Sequence, residues 1–185
     1  MAKLRIIVSA LTLSAAGLIG IAVHEGYTDT AVIPTAGDRP TVGFGSTFRD
    51  DGTPVRIGDR TTPVRALYTV QAHLAREEQQ FRDSLPGVEL TQGEYDLYVD
   101  FMYQYGIGNW RSSSMRRRLL ETSTAAPAQL PGLYRAACDA LLAWKKQGGR
   151  DCSLPQNWGP KGCKGVWARQ QARHAKCLNE QEGTP

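Results

Sequence analysis

The sequence lacks the features that mark several large classes of protein. It has no internal repeat and no low-complexity segment, and no linker is long enough to separate two domains. Of its 185 residues, 41% are hydrophobic and 22% are charged, close to the averages of folded soluble chains. These values exclude a disordered, a collagen-like and a polytopic membrane protein, and the length suits one domain around one hydrophobic core.

Cysteine is absent from the first 137 residues, and CxxC metal spacing is absent throughout. The four cysteines are Cys138, Cys152, Cys163 and Cys177. Since the three histidines also lack metal-ligand spacing, we expect no metal and no cofactor. An even number of cysteines supports export to an oxidising compartment, and three pairings are possible. We favour Cys152–Cys163, which closes a loop rich in Pro and Gly, with Cys138–Cys177 joining two helices; four buried thiols are the alternative.

Charge is absent from the 18 residues between Ile6 and Val23, which follow Lys3 and Arg5. Eighteen residues are about the minimum for a membrane span, and the leading cations favour a cytoplasmic N-terminus. Half of the stretch is Ala, Gly, Ser or Thr, which insert only weakly. Three interpretations stay open: a signal peptide cleaved near 14–16, a permanent anchor, and a segment that inserts and later leaves the membrane.

The two halves of the chain differ in charge. Residues 1–99 carry 9 Lys and Arg against 12 Asp and Glu, whereas residues 100–185 carry 13 against 6. The basic half suits an anionic partner such as a cell-wall polymer or lipid head groups. The export signal and the absence of a recognition motif argue against nucleic acid as that partner.

The hydrophobic pattern predicts an α+β fold. Residues 27–61 have short β-type runs and a turn signal at Asp51-Gly52, which indicates a small antiparallel sheet. Five helices are predicted after it: they start at Thr62-Pro63, at a Thr91/Glu94 capping box, at Ser112–Ser114, before Leu133 and near Gly165. The predicted division is an N-terminal apolar helix or anchor over 1–24 and a domain over 25–185. Within that domain, we expect the β-region at about 27–61 and a helical lobe at about 62–180.

Several motifs occur in an order that resembles phage-type lysozymes, glycoside hydrolase family 24. They are Glu25-Gly26-Tyr27, the run 37–46 (GDRPTVGFGS), the run 90–96 (LTQGEYD), the run 104–114 (QYGIGNWRSSS), Ala137-Cys138-Asp139 and Cys177-Leu178. The ordered set covers residues 24–178. The resemblance implies a lysozyme-like fold and hydrolysis of the β-1,4 bond between N-acetylmuramic acid and N-acetylglucosamine in peptidoglycan.

The resemblance also implies three catalytic residues. Glu25 corresponds to the family's general acid and Thr41 to its threonine, but their separation of 16 is one residue more than the family pattern. The positions where the pattern expects Asp or Cys hold Pro34 or Thr35, and neither is acidic. We therefore choose Asp38 as the second carboxylate, with Asp29 as the alternative. The resemblance implies inversion of configuration, for which the carboxyl groups stand about 6.5–9.5 Å apart.

The resemblance, together with this N-terminal stretch, suggests the signal-anchor-release subtype of endolysin. In that subtype the uncleaved segment, here residues 6–23, tethers an inactive enzyme to the inner membrane, leaves the bilayer, and can then pack as a helix. The enzyme would act in the periplasm on peptidoglycan, as a monomer and without a nucleic-acid partner. The alternative is an anchored protein that binds peptidoglycan without cutting it, which the missing family-spaced Asp favours.

Overall fold

The computed structural model describes residues 3–34 and 37–182 and has the expected α+β composition. Its seven described α-helices are α1 (Ala15–Glu25), α2 (Pro63–Asp83), α3 (Gln92–Tyr105), α4 (Ile107–Ser112), α5 (Ser114–Thr122), α6 (Leu130–Ala140) and α7 (Lys164–Gln181). Its strands are β1 (Ile6–Ile7), β2 (Thr28–Val32), β3 (Thr41–Gly43), β4 (Glu89–Leu90), β5 (Lys146–Gln147) and β6 (Arg150–Asp151). The strands form three antiparallel pairs, β1–β4, β2–β3 and β5–β6. The chain divides into a sheet unit, residues 13–80, and a helical unit, residues 1–12 with 81–185.

The helical unit packs around α3. Tyr95, Tyr98 and Phe101 of this helix are fully buried, and their rings contact a second buried ring, that of Trp110 or Phe81. The indole of Trp110 is itself buried, and a hydrogen bond saturates its N–H. Such aromatic contacts add to the stability gained from burial alone. Trp110 is therefore a core residue.

The predicted helix starts are confirmed where a side chain caps the helix. At α3 the Thr91 hydroxyl accepts a hydrogen bond from the Glu94 N–H at 3.0 Å, and the Glu94 carboxylate accepts one from the Thr91 N–H at 2.8 Å. At α5 the Ser113 hydroxyl accepts one from the N–H of Arg116. These bonds satisfy backbone donors that a helix start leaves without an intrahelical partner.

The N-terminal apolar stretch does not form the single helix that its composition predicts. Ser14 caps α1 by accepting a hydrogen bond from the Gly17 N–H at 3.0 Å, so the helix begins at Ala15. Residues 3–12 belong to the helical unit, where β1 pairs with β4 and Val8 is fully buried. Among the described residues, no helix is both long and apolar enough to cross a membrane.

The sheet unit is built around β2, which is paired on both sides. On one side it pairs with β3; on the other, the Ala31 N–H donates to the Asp59 carbonyl and the Thr61 N–H to the Asp29 carbonyl. The inward side chains of Ala31, Val42 and Val55 form its small core. The predicted Asp51-Gly52 turn is present, with Gly52 at a φ of 81°.

Both favoured disulfides are confirmed. Cys138–Cys177 joins α6 to α7, and Cys152–Cys163 closes the loop that follows the β5–β6 hairpin. The helix predicted before Leu133 begins at Leu130 and ends at Ala140, where a short 3-10 turn continues the chain.

Candidate functional site

Glu25 is the last residue of α1, in the sheet unit. The helix is held by its buried residues Ile21 and Ala22, and Gly26 ends it at a φ of 71°, a conformation that favours glycine. The chain then turns directly into β2. Because of this turn, the exposed carboxylate of Glu25 lies at the start of the β2–β3 hairpin.

The Glu25 carboxylate lies against Gly45, in the turn that follows β3. A Cβ atom placed on Gly45 would lie 3.7 Å from Oε2 of Glu25, and Gly45 has a φ of 73°. Beside this contact the rings of Tyr27 and Phe44 pack with their centroids 5.3 Å apart. The Glu25 carboxylate is thus a neighbour of the turn that follows β3. The sequence motif contains this glycine, but only the fold shows that it contacts Glu25.

Thr41 and Asp38 lie toward the other end of the hairpin. Thr41 is the first residue of β3, is half-buried, and faces Val32 across the pair. Asp38 is exposed in the connection between β2 and β3. Thr35, one of the two positions where the family pattern expects Asp or Cys, lies outside the described residues.

The segment between Glu25 and Thr41 contains an irregularity in β2. Thr28 faces Gly43 and Val32 faces Thr41, so four steps along β2 correspond to two along β3. Inside this irregularity Thr30 bridges to Arg60 instead of β3. A bulge of this kind inserts residues while both flanking pairs are kept.

Asp29, the alternative second carboxylate, is bound within this irregular part of β2. Its Oδ2 accepts a hydrogen bond from the Arg60 guanidinium at 3.3 Å, and its Oδ1 accepts one from the Thr30 hydroxyl at 3.1 Å. Both partners of the ion pair are exposed. The carboxylate of Asp29 is therefore already engaged in a surface ion pair.

The structure thus places all three candidates in the sheet unit. Glu25 lies at the Thr28 end of β2, whereas Asp38 and Thr41 lie at the Val32 end. The two facing pairs are separated by two residue steps of β3, which extend for about 7 Å. The three candidates therefore belong to the two ends of one short hairpin.

A cavity of about 170 Å³ lies next to β3 and includes none of the three candidates. Across it Arg49 forms a two-point ion pair with Asp59, at 2.6 and 2.9 Å. The hydrogen bonding from the Arg49 side chain, together with a hydrogen bond from the backbone N–H of Arg56, lowers the pKa of Asp59 below its usual value. The pair fixes the loop between β3 and α2 and so supports the sheet. Within residues 3–34 and 37–182, no group of acidic, His and Cys side chains could hold a metal ion.

Comparisons with known proteins agree with this fold. The phage lysozyme family model matches residues 22–156. The endolysin of Salmonella phage P22 is 28% identical over 143 residues, which are 75% of this chain and 86% of that protein. A crystal structure of a P22 lysozyme mutant superposes with a TM-score of 0.70 at 25% identity, covering 91% of this chain and 99% of that one. The endolysin from Escherichia coli O157:H7 phage FAHEc1 has a similar fold, with a TM-score of 0.73 at 23% identity over 92% and 95% of the two chains.

The predicted lysozyme-like α+β fold is therefore confirmed. The family match spans the whole sheet unit after residue 21, including the turn that holds Glu25, and continues through α3 to α6. The chain belongs to the phage lysozyme family.

Proposed function

We propose that this chain is an endolysin that hydrolyses the β-1,4 bond between N-acetylmuramic acid and N-acetylglucosamine in peptidoglycan. The proposal rests on the position of Glu25. This residue is the last one of α1, and its carboxylate lies against Gly45, beside the hairpin that carries Asp38 and Thr41. Family membership supplies the lysozyme-like activity, and the bond and residue roles are our proposal.

Cleavage of a glycosidic bond needs two groups with different tasks. The protonated carboxyl of Glu25 donates its proton to the oxygen of the leaving sugar as the bond breaks. The ionised carboxylate of Asp38 accepts a proton from a water molecule, which attacks the anomeric carbon from the opposite face. The Thr41 hydroxyl binds this water and orients it. Inversion requires the two carboxylates to stand about 6.5–9.5 Å apart, so that the water fits between them and the sugar.

Replacement of Glu25 by Gln tests the acid. We expect Glu25→Gln to abolish the release of reducing ends from purified sacculi and the clearing of chloroform-treated Gram-negative cells. The midpoint of thermal unfolding should hardly change, because the side chain is exposed at a helix end. A lytic Glu25→Gln protein would refute the assignment. If wild-type protein at micromolar concentration clears no cells, the chain is not a muramidase.

The two aspartates of the hairpin form a matched pair for the second role. Asp38→Asn should lower the turnover rate by about 100-fold or more, the usual contribution of a positioned acid or base. Asp29→Asn should lower it little, because that carboxylate pairs with Arg60 at the surface. The reverse order of the two effects would transfer the role to Asp29.

We further propose that residues 6–23 first tether the chain to the inner membrane of the host, and that the enzyme then acts in the periplasm as a monomer. The proposal is supported by the uncharged stretch and the cations before it. In the tethered state the segment must be one continuous helix, unlike the separate elements it forms in the folded chain. The mass of the periplasmic protein should correspond to an intact N-terminus, and a mass that lacks these residues would favour a cleaved signal peptide.

A further inference from the structure

One loop of the helical unit is rich in cations. Residues 145–164, which we call the cationic loop, contain five Lys or Arg and one Asp. Their net charge of +4 equals the formal net charge of the whole chain.

The one acidic residue of the cationic loop neutralises only one of its cations. Asp151 pairs with Lys145 at 3.0 Å, and hydrogen bonds from Ser153 together with this pair lower the pKa of Asp151 to about 2. The remaining four cations have exposed side chains: Lys146, Arg150, Lys161 and Lys164. They are available to a partner in solution.

The cationic loop has a fixed backbone despite its small content of helix and strand. The Cys152–Cys163 disulfide closes it, and the Trp158 indole N–H donates to the Cys152 carbonyl at 2.8 Å. The Asn157 amide donates to the Asp151 carbonyl at 2.7 Å. A binding surface that is rigid before it meets its partner loses little conformational entropy on binding.

The shape and the apolar residues of the cationic loop point to a lipid head-group surface. Arg150 and Lys161 line an open cavity of about 440 Å³, wide enough for a phosphate group. In the same loop Leu154 is 41% exposed, and Lys164 lies over the half-buried Trp158 ring at 5.1 Å. Cations combined with exposed Leu and partly exposed Trp are typical of surfaces that bind at the membrane–water interface.

We propose that the cationic loop binds the surface of membranes that contain anionic phospholipids, with Arg150 and Lys161 contacting phosphate and Leu154 entering the interface. The binding is independent of the muramidase activity, because no candidate catalytic residue lies in the loop. It would hold the folded enzyme beside the membrane.

Two triple variants of the full chain test this surface. The loop variant replaces three exposed cations by Gln: Lys146, Arg150 and Lys161. The control variant replaces three other exposed cations of the helical unit by Gln: Arg111, Arg117 and Lys176. The two proteins have the same net charge and keep the same N-terminal segment, so both of those contributions to membrane binding are matched.

Binding is measured by sedimentation with vesicles of phosphatidylcholine, with and without 30% phosphatidylglycerol, at physiological salt. One cation near an anionic surface contributes roughly a fivefold gain in affinity. The loop variant should therefore bind the anionic vesicles about 100-fold more weakly than wild type, and the control variant should lose much less. Leu154→Ser should also weaken binding without a change in charge.

Three results would overturn the proposal. Wild type could bind the anionic vesicles no better than pure phosphatidylcholine. The loop and control variants could lose affinity equally, which would indicate a diffuse charge effect. The loop variant could keep its vesicle binding and instead lose binding to sacculi, which would assign the loop to the wall polymer. Near-wild-type midpoints of thermal unfolding for both variants exclude misfolding as the cause of any loss.

Discussion

The approach of β3 to α2 in the sheet unit is very close, and it predicts a large effect of one methyl group. A Cβ atom on Gly43 would lie 2.7 Å from the Cβ of Ala66, far inside normal contact distance. Gly43 also has a φ of 67°, where an L-residue is strained. Position 43 therefore requires glycine for two separate reasons, the close contact with Ala66 and the left-handed backbone conformation. Thr41, a candidate site residue, is the first residue of the same strand.

The cost of Gly43→Ala follows from these two effects. The left-handed conformation costs an alanine about 1–2 kcal/mol, and forcing a methyl group into a packed contact costs about 1–3 kcal/mol. We expect the free energy of unfolding to fall by about 2–5 kcal/mol. Gly52→Ala is the matched control, because Gly52 has a φ of 81° and a Cβ placed there would meet no atom of the described residues within 4 Å. It should show the conformational cost alone.

A double-mutant cycle in urea denaturation isolates the contact. Ala66→Gly removes the opposing methyl group and by itself should cost up to about 1 kcal/mol in helix propensity. Combined with Gly43→Ala, it should recover the steric part, giving a favourable coupling energy of about 1 kcal/mol or more. Additive effects, or equal losses for Gly43→Ala and Gly52→Ala, would show that the close approach does not determine the requirement for glycine.

Two further predictions concern charges in the helical unit. Arg5→Ala should lower the free energy of unfolding in urea by about 3 kcal/mol, because it leaves the Glu94 side chain, which is 1% exposed, without this cation. Arg118→Ala breaks an exposed ion pair with Glu121 and should cost less than about 1 kcal/mol. Equal losses for the two variants would contradict this difference. For Asp100, burial acts to raise the pKa, but ion pairs with Arg173 and a second arginine of α7 outweigh it and hold the pKa below 3.8. This stabilisation is present above pH 4 and is lost as the pH falls through the lower pKa of the folded state. The difference in melting temperature between wild type and Asp100→Asn should therefore shrink from pH 5 to pH 2, and a constant difference would refute it.

The sequence predicted those features whose determinants are close together in the chain. The capping box at α3 depends on Thr91 and Glu94, three residues apart, and both of its hydrogen bonds are present. The Cys152–Cys163 disulfide closes a short loop and was also predictable. The bond between Arg5 and the same Glu94 joins residues 89 apart. No local pattern indicates it, because Arg5 also suits the start of a membrane segment.

The N-terminal stretch shows why composition alone misassigned its structure. An uncharged run predicts burial but does not distinguish a membrane span from a segment buried in protein. Ser14, which the sequence suggested only as part of a cleavage site, caps α1 in the folded chain. Val8 and Leu11 are buried at positions that only a long-range pairing with β4 could define.

The candidate site was predictable in part, because it depends on a resemblance between motifs. The resemblance assigned Glu25 and Thr41 as candidates because their motifs follow each other along the chain in the family's order. The position of the Gly45 turn next to the Glu25 carboxylate agrees with that assignment. The extra residue between Glu25 and Thr41 could not be located from the sequence, since a bulge has no strong local signal. The fold places an irregularity in β2, between Thr28 and Val32.

The Arg5–Glu94 ion pair connects the proposed tether to folding. In the folded chain the Arg5 guanidinium donates two hydrogen bonds to Glu94, at 2.9 and 3.1 Å, and lies 3.6 Å from the centre of the Tyr134 ring. If residues 6–23 span the inner membrane, Arg5 stays on the cytoplasmic side and Glu94 on the periplasmic side, with about 30 Å of hydrocarbon between them. The tethered chain then lacks this ion pair and the β1–β4 pairing, and its buried Glu94 loses the Arg5 cation. Both are gained only when the segment leaves the bilayer, so the folding of the helical unit itself favours release.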